Sequence, residues 1–191
     1  MLLACANTEN YPRLERTTMT LERTTMTEIS PNVGYGPLKL GMSPDDVALL
    51  IGASGKVIDA SKFDFLEPDE RPFYKNQIIE ERDPKNTHDL IDLLYEKRRL
   101  VCINIKGTCK TATFQAQPIN QNRMEFISFV ANQSSNIYIR SENYFFLPSG
   151  ICISRAGMRK DINYVRIYDV EFKTKFLKFE NYKPHAGPVI K

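Results

Sequence analysis

Residues 36–52, Gly-Pro-Leu-Lys-Leu-Gly-Met-Ser-Pro-Asp-Asp-Val-Ala-Leu-Leu-Ile-Gly, mark both ends of one helix and constrain the local fold more than any other stretch of the chain. Ser43 is an N-cap by type, because its hydroxyl can accept from the free amides of a first turn. Pro44 suits the first helical position, where no amide hydrogen is needed. Asp45 and Asp46 set negative charge at the positive end of the helix dipole. Val47, Leu50 and Ile51 fall at i, i+3 and i+4 and predict one apolar face, and Gly52 supplies the C-cap. Leu38 and Leu40 alternate ahead of them as a short strand. The segment reads as strand, turn and helix.

The second half of the chain reads mostly as strand. Leu100–Ile105 is β by its branched residues, and we take Leu90–Tyr95 as its hairpin partner, with the turn at Glu96–Arg99. The competing reading is a helix through Tyr95 capped by Asn86 or Thr87. Met124–Ala131, Asn136–Arg140, Tyr144–Leu147 and Gly150–Ser154 are short β-branched and aromatic runs, punctuated by 132–135 and 148–150. Tyr164, Arg166, Tyr168, Val170, Phe172, Thr174 and Phe176 alternate with polar residues and predict a long strand with one wet face. Phe172, Phe176 and Phe179 also fit helical spacing, so a helix stays open there. Pro68, Pro72 and Pro84, amid dense charge, predict two solvated loops around a short element at Phe73–Ile79. The expected fold is α+β, an antiparallel sheet with one or two short helices packed on one face.

The run at 36–52 resembles the opening of many small bacterial domains, G-x-L-x-L-G-M-[ST]-x-x-[DE]-V-x-x-L-[IL]-G. One such group is the SmpA/OmlA-type lipoproteins of outer-membrane assembly; others are similar to immunity proteins that neutralise secreted toxins. The resemblance implies a small helix on an antiparallel sheet and carries no catalytic group.

Two identical copies of Leu-Glu-Arg-Thr-Thr-Met-Thr stand back to back at 14–20 and 21–27. Glu-Arg can be encoded by a purine-rich ribosome-binding sequence, and each copy sets it three codons before a methionine. Residues 1–25 are therefore expected to be a translated leader with Met26 as the native start, followed by a single domain over 26–183 and a loose tail over 184–191. Leu2-Leu3-Ala4-Cys5 looks like a lipobox but lacks a charged and an apolar region before it.

The chain carries 26 basic and 23 acidic residues, too even a balance for a general nucleic-acid binder. Lys106, Lys110, Lys173, Lys175 and Lys178 near aromatic residues are read as a wet sheet face rather than a single-strand platform. Cys102 and Cys152 sit among isoleucines and are expected in the core of a reduced, cytoplasmic protein, although a Cys102–Cys109 disulfide would fit an exported one. No P-loop, dinucleotide fingerprint or nucleophile elbow occurs, and His88, Asp89 and Asp92 are too few for a metal phosphohydrolase. No cofactor is expected. The sequence points to a protein-binding module, most concretely an immunity-type protein capping a toxin. Glu67, Asp69, Glu70, Glu80, Glu81 and Asp83 are its candidate contact surface. An enzyme with a motif-less site and an envelope-associated structural protein are the alternatives.

Overall fold

Strict alternation governs the middle of the chain: in Ile91–Glu96 the odd residues are buried and the even ones half-buried. Such a strand must be covered on one face and carry something other than core on its opposite face. A computed structural model describes residues 28–52, 55–64, 68, 70–82, 91–119, 123–141, 143–147, 149–156 and 161–185.

The chain opens with β1 (Ile29–Ser30), β2 (Gly34–Tyr35) and β3 (Leu38–Lys39), a small antiparallel sheet of its own, and then α1 (Pro44–Ile51). β4 (Lys56–Asp59), α2 (Arg71–Tyr74), β5 (Gln77–Arg82), β6 (Ile91–Glu96) and β7 (Arg99–Lys106) come next. A hairpin of β8 (Thr113–Phe114) and β9 (Gln117–Pro118) leads to α3 (Arg123–Asn132). The chain closes with β10 (Asn136–Arg140), β11 (Asn143–Leu147), β12 (Ile151–Ala156), β13 (Asp161–Tyr168), α4 (Val170–Phe179) and β14 (Lys183–His185).

Nine of these strands form one sheet in the order β14-β10-β11-β12-β13-β7-β6-β5-β4, with every neighbouring pair antiparallel. It consists of two four-stranded meanders, β4 to β7 and β10 to β13, joined side by side where β7 pairs with β13. One face buries Ile91, Leu93, Ile103, Ile105, Ile151, Ile153, Val165 and Ile167 against the small sheet, α1 and α3. The other carries a second, largely aromatic cluster in which Phe145, Cys152 and Tyr168 meet Phe172 and Phe176 of α4.

The α+β antiparallel architecture is the expected one, but helices cover both faces of the main sheet rather than one. α1 begins at Ser43 as read, and Asp46 closes a reciprocal capping box with it. Its apolar face is narrower than the spacing predicts: Val47 is buried while Leu50 stays 45% exposed. The hairpin of β6 and β7 forms as taken, turning through Lys97 and Arg98, both at positive φ.

Met124–Ala131 is not a strand. It lies in α3, because Phe126, Ile127 and Val130 bury against the main sheet and tertiary packing overrides β propensity. The long strand predicted through Phe176 ends at Tyr168. There the Asp169 carboxylate accepts from the amides of Glu171 (3.0 Å) and Phe172 (3.3 Å) and starts α4. The element placed at 73–79 is a helical turn followed by β5, which runs on to Arg82 and takes Glu80 and Glu81 out of the predicted loop. Pro184 and His185 belong to the edge strand β14 rather than to a tail. The leader segment, His88 and Asp89 lie outside the described residues.

Candidate functional site

The registers of the main sheet place one residue from each strand in a single transverse row. Lys56 stands opposite Glu81, Glu81 opposite Asp92, Asp92 opposite Asn104, and Asn104 opposite Arg166. Beyond Arg166 the row continues through Cys152, Phe145 and Tyr138. One part of the row, five residues long, is thus charged or polar, and the other three residues are largely apolar. All of it lies on the sheet face that α2 and α4 partly cover, because side chains in register on neighbouring strands share a face.

Over the polar part of the row is a cleft of about 190 Å³. Its floor is Asp92, Asn104 and Arg166, with Leu94, Cys102 and Tyr168 lying further along the same strands and Ile79 on the neighbouring β5. Its walls are Phe73 and Tyr74 of α2 and Phe172 and Phe176 of α4. The ring of Phe73 lies 5.9 Å from that of Phe172 and stacks at 4.0 Å on Phe179. Phe176 stacks at 4.9 Å on Tyr168. The rings fix the width of the slot, since aromatic pairs at these spacings hold one another's orientation.

Asp92 and Arg166 are the charged residues among those that wall the cleft. The Asp92 carboxylate accepts from Asn104 Nδ2 at 2.9 Å. Burial raises its pKa above the usual carboxylate value, against the lowering influence of Lys106 and the Asn104 hydrogen bond. Arg166 is half-buried. Burial works against its charge, but a guanidinium starts so far above neutral pH that it stays a cation. Its guanidinium also lies 5.4 Å from the ring centre of Tyr164. Among the described residues no carboxylate stands within ion-pair distance of it. Burial pushes the Cys102 thiol up to about 12 and raises Cys152, Tyr168 and Tyr182 as well, so these groups face the cationic arginine in neutral form. Two acceptors at the cleft, Asn104 Oδ1 and Gln77 Oε1, receive no hydrogen bond from the protein. The Gln77 amide is oriented by its donation to the Phe73 carbonyl at 2.7 Å.

This chemistry suits holding a ligand: a fixed cation recessed among flat apolar walls. Its two thiols are too basic to act as nucleophiles near neutral pH.

Of the residues singled out in the sequence as a contact surface, the described ones, Glu70, Glu80 and Glu81, do not share one surface. Glu80 is buried on the opposite sheet face, paired with Arg82 Nη2 at 2.5 Å. Glu81 lies beside Asp92 in the transverse row, 3.9 Å from the Lys56 amine, and Glu70 precedes α2. Glu67, Asp69 and Asp83 lie outside the described residues. Lys173, Lys175 and Lys178 are on α4, not on a sheet face. The sequence reading missed Asn104 and Arg166 and set Asp92 aside with His88 and Asp89 as too few for a metal site. A signal was present: each is a polar residue flanked on both sides by apolar ones within a strand.

Comparison with protein families, with characterised proteins and with solved structures found no match.

Proposed function

We propose that this chain is a binding protein and that the cleft over β6, β7 and β13 takes a small organic anion. The observation that supports this most is Arg166, a charged, half-buried guanidinium beside aromatic rings with no carboxylate within ion-pair distance among the described residues. A half-buried cation without a carboxylate partner offers an anion a charge-assisted hydrogen bond in a partly dehydrated setting, where it is stronger than in open water. The aromatic walls add apolar contact and exclude water from that pair. Thermal unfolding of the full chain across a panel of small carboxylates tests the reading. A saturable rise in Tm that disappears in Arg166→Met supports it, and no rise with any member of the panel rules it out.

A second reading, a module that docks another protein, draws on a different part of the surface. Leu49 and Leu50 of α1 are 85% and 45% exposed, and Val57, on the sheet's edge strand β4, is 59% exposed. Apolar side chains at an open strand edge are features that protein contacts use. An immunity-type role is the specific form of this reading that the resemblance at 36–52 supports. The acidic surface adds less than the sequence implies, because Glu80 is engaged internally. Affinity capture from the native source, with wild type and a Leu49→Glu/Leu50→Glu variant side by side, tests it. A stoichiometric partner retained by wild type and lost by the variant is the expected result.

A further inference from the structure

We infer that the ligand of the cleft is a monocarboxylate with one aromatic ring, and not a phosphate or a dicarboxylate. The inference rests on the anion-binding reading above and adds the ligand's charge, size and shape.

Charge comes from counting across the transverse row. Lys56 and Glu81 lie 3.9 Å apart and offset one another. Asp92 is close enough to Lys106 and to Arg166 to be affected by both charges. Among these three described residues, one acid against two bases leaves a single positive charge. Arg166 is where that charge is recessed, because Lys106 lies on β7 two residues beyond Asn104 and is not among the residues walling the cleft. A monoanion closes the balance. A dianion would leave a surplus negative charge beside Asp92, which Asn104 holds in place at 2.9 Å and burial already disfavours as a carboxylate. Like charges at that range in a poorly hydrated site repel strongly.

Size and shape come from the walls. A cavity of about 150 Å³ lined by apolar side chains takes benzene, so about 190 Å³ admits one ring with a short acidic arm. The walls are rings rather than branched aliphatic chains: Phe73, Phe172, Phe176 and Tyr168 have centroid spacings between 4.9 and 6.5 Å. They prefer a flat guest that stacks or meets them edge to face. With its carboxylate at Arg166 on the floor, a ring on a two- or three-carbon arm would lie over Leu94 and meet the phenylalanines at the cleft's wall edge to face.

Titration calorimetry on the full chain with three probes tests this: 3-phenylpropanoate, acetate and inorganic phosphate. The expected result is saturable binding of 3-phenylpropanoate, at least tenfold weaker binding of acetate, and none of phosphate. Asp92→Asn, at a half-buried position where the change is close to isosteric, should tighten 3-phenylpropanoate several-fold and admit phosphate. Phosphate binding as well as or better than 3-phenylpropanoate would overturn the ligand class and leave the anion reading standing. The same holds if acetate equals 3-phenylpropanoate, or if Asp92→Asn changes nothing. Failure of all three probes to bind wild type would overturn both.

Discussion

Arg82 and Glu80 form an ion pair inside the protein, 2.5 Å apart on the main-sheet face that α1 covers, and the same guanidinium donates to the carbonyl of Gly52 at the end of α1. The two side chains are 4% and 9% exposed. One residue thus neutralises a buried acid and satisfies a carbonyl that the helix end leaves open. Arg82→Ala removes both partners at once and leaves Glu80 buried and uncompensated, so it should cost about 3–5 kcal/mol of stability. Replacing both residues with methionine should cost far less, because no lone charge remains. Urea unfolding of the two variants separates the cases. Equal losses would mean that the pair itself, not the orphaned charge, carries the energy.

Asp92 gives the cleft a pH dependence whose sign is set by its environment. Burial raises its folded-state pKa above 3.8, so the folded protein holds this proton more tightly than the unfolded chain does. Asp92 then favours the folded state most when protonated, and that contribution is lost as pH rises through the folded pKa. At neutral pH the ionised carboxylate is a liability that asparagine does not share. Asp92→Asn should therefore stabilise the protein at pH 7, with the advantage fading as pH falls towards the unfolded value of 3.8. Stability curves of the two proteins across the acid-to-neutral range check this; an advantage that grows towards low pH would reverse the sign and remove burial as its cause.

Cys102 and Cys152 should be inert while the protein is folded. Both are buried, and burial pushes Cys102 up to about 12 and raises Cys152. The attacking species is the thiolate, which is scarce at pH 8 for such groups. Pulse labelling with N-ethylmaleimide, read by peptide mass spectrometry, should mark these two cysteines in urea and leave them unmarked in buffer. Rapid labelling of either in the native protein would show that the sheet opens at β7 or β12.

The parts of the fold that were legible in the sequence are those fixed by neighbours in the chain. Ser43, Pro44 and Gly52 mark α1, since capping is a local matter of which amides and carbonyls lack partners. The branched residues of β7 mark a strand because its pleated surface suits them. α3 was hidden because Phe126, Ile127 and Val130 are strand-forming types that a helix accepts when it gains the main sheet to pack on. α4 was hidden because Phe172 and Phe176 satisfy both periodicities, and only the hydrogen bonds of Asp169 to the amides after it decide between them. The cleft was the least legible feature. Asp92, Asn104 and Arg166 are scattered over three strands, and no spacing in the sequence says that the registers of β6, β7 and β13 align them in one row.

That alignment depends on Gly107. It comes directly after β7, and its amide donates to the Asn163 carbonyl at 2.8 Å, at the junction where the two meanders meet. A Cβ at this position would lie 1.8 Å from the Ile162 carbonyl oxygen, a backbone atom that cannot swing aside as a side-chain tip can. Gly107→Ala must therefore separate β7 from β13 locally. Overpacking of this kind costs about 1–3 kcal/mol. Here it acts on the two strands that carry Asn104 and Arg166, so the loss should appear in ligand binding as well as in stability. A control of similar stability but remote from the junction, Ser43→Ala in the α1 capping box, should cost about 1 kcal/mol and leave the cleft unchanged. Calorimetric titration of both variants with 3-phenylpropanoate, beside their urea unfolding curves, tells the two effects apart. Weakened binding in Gly107→Ala alone is the expected outcome, and equal affinity in both would show that the β7–β13 spacing does not set the geometry of the cleft.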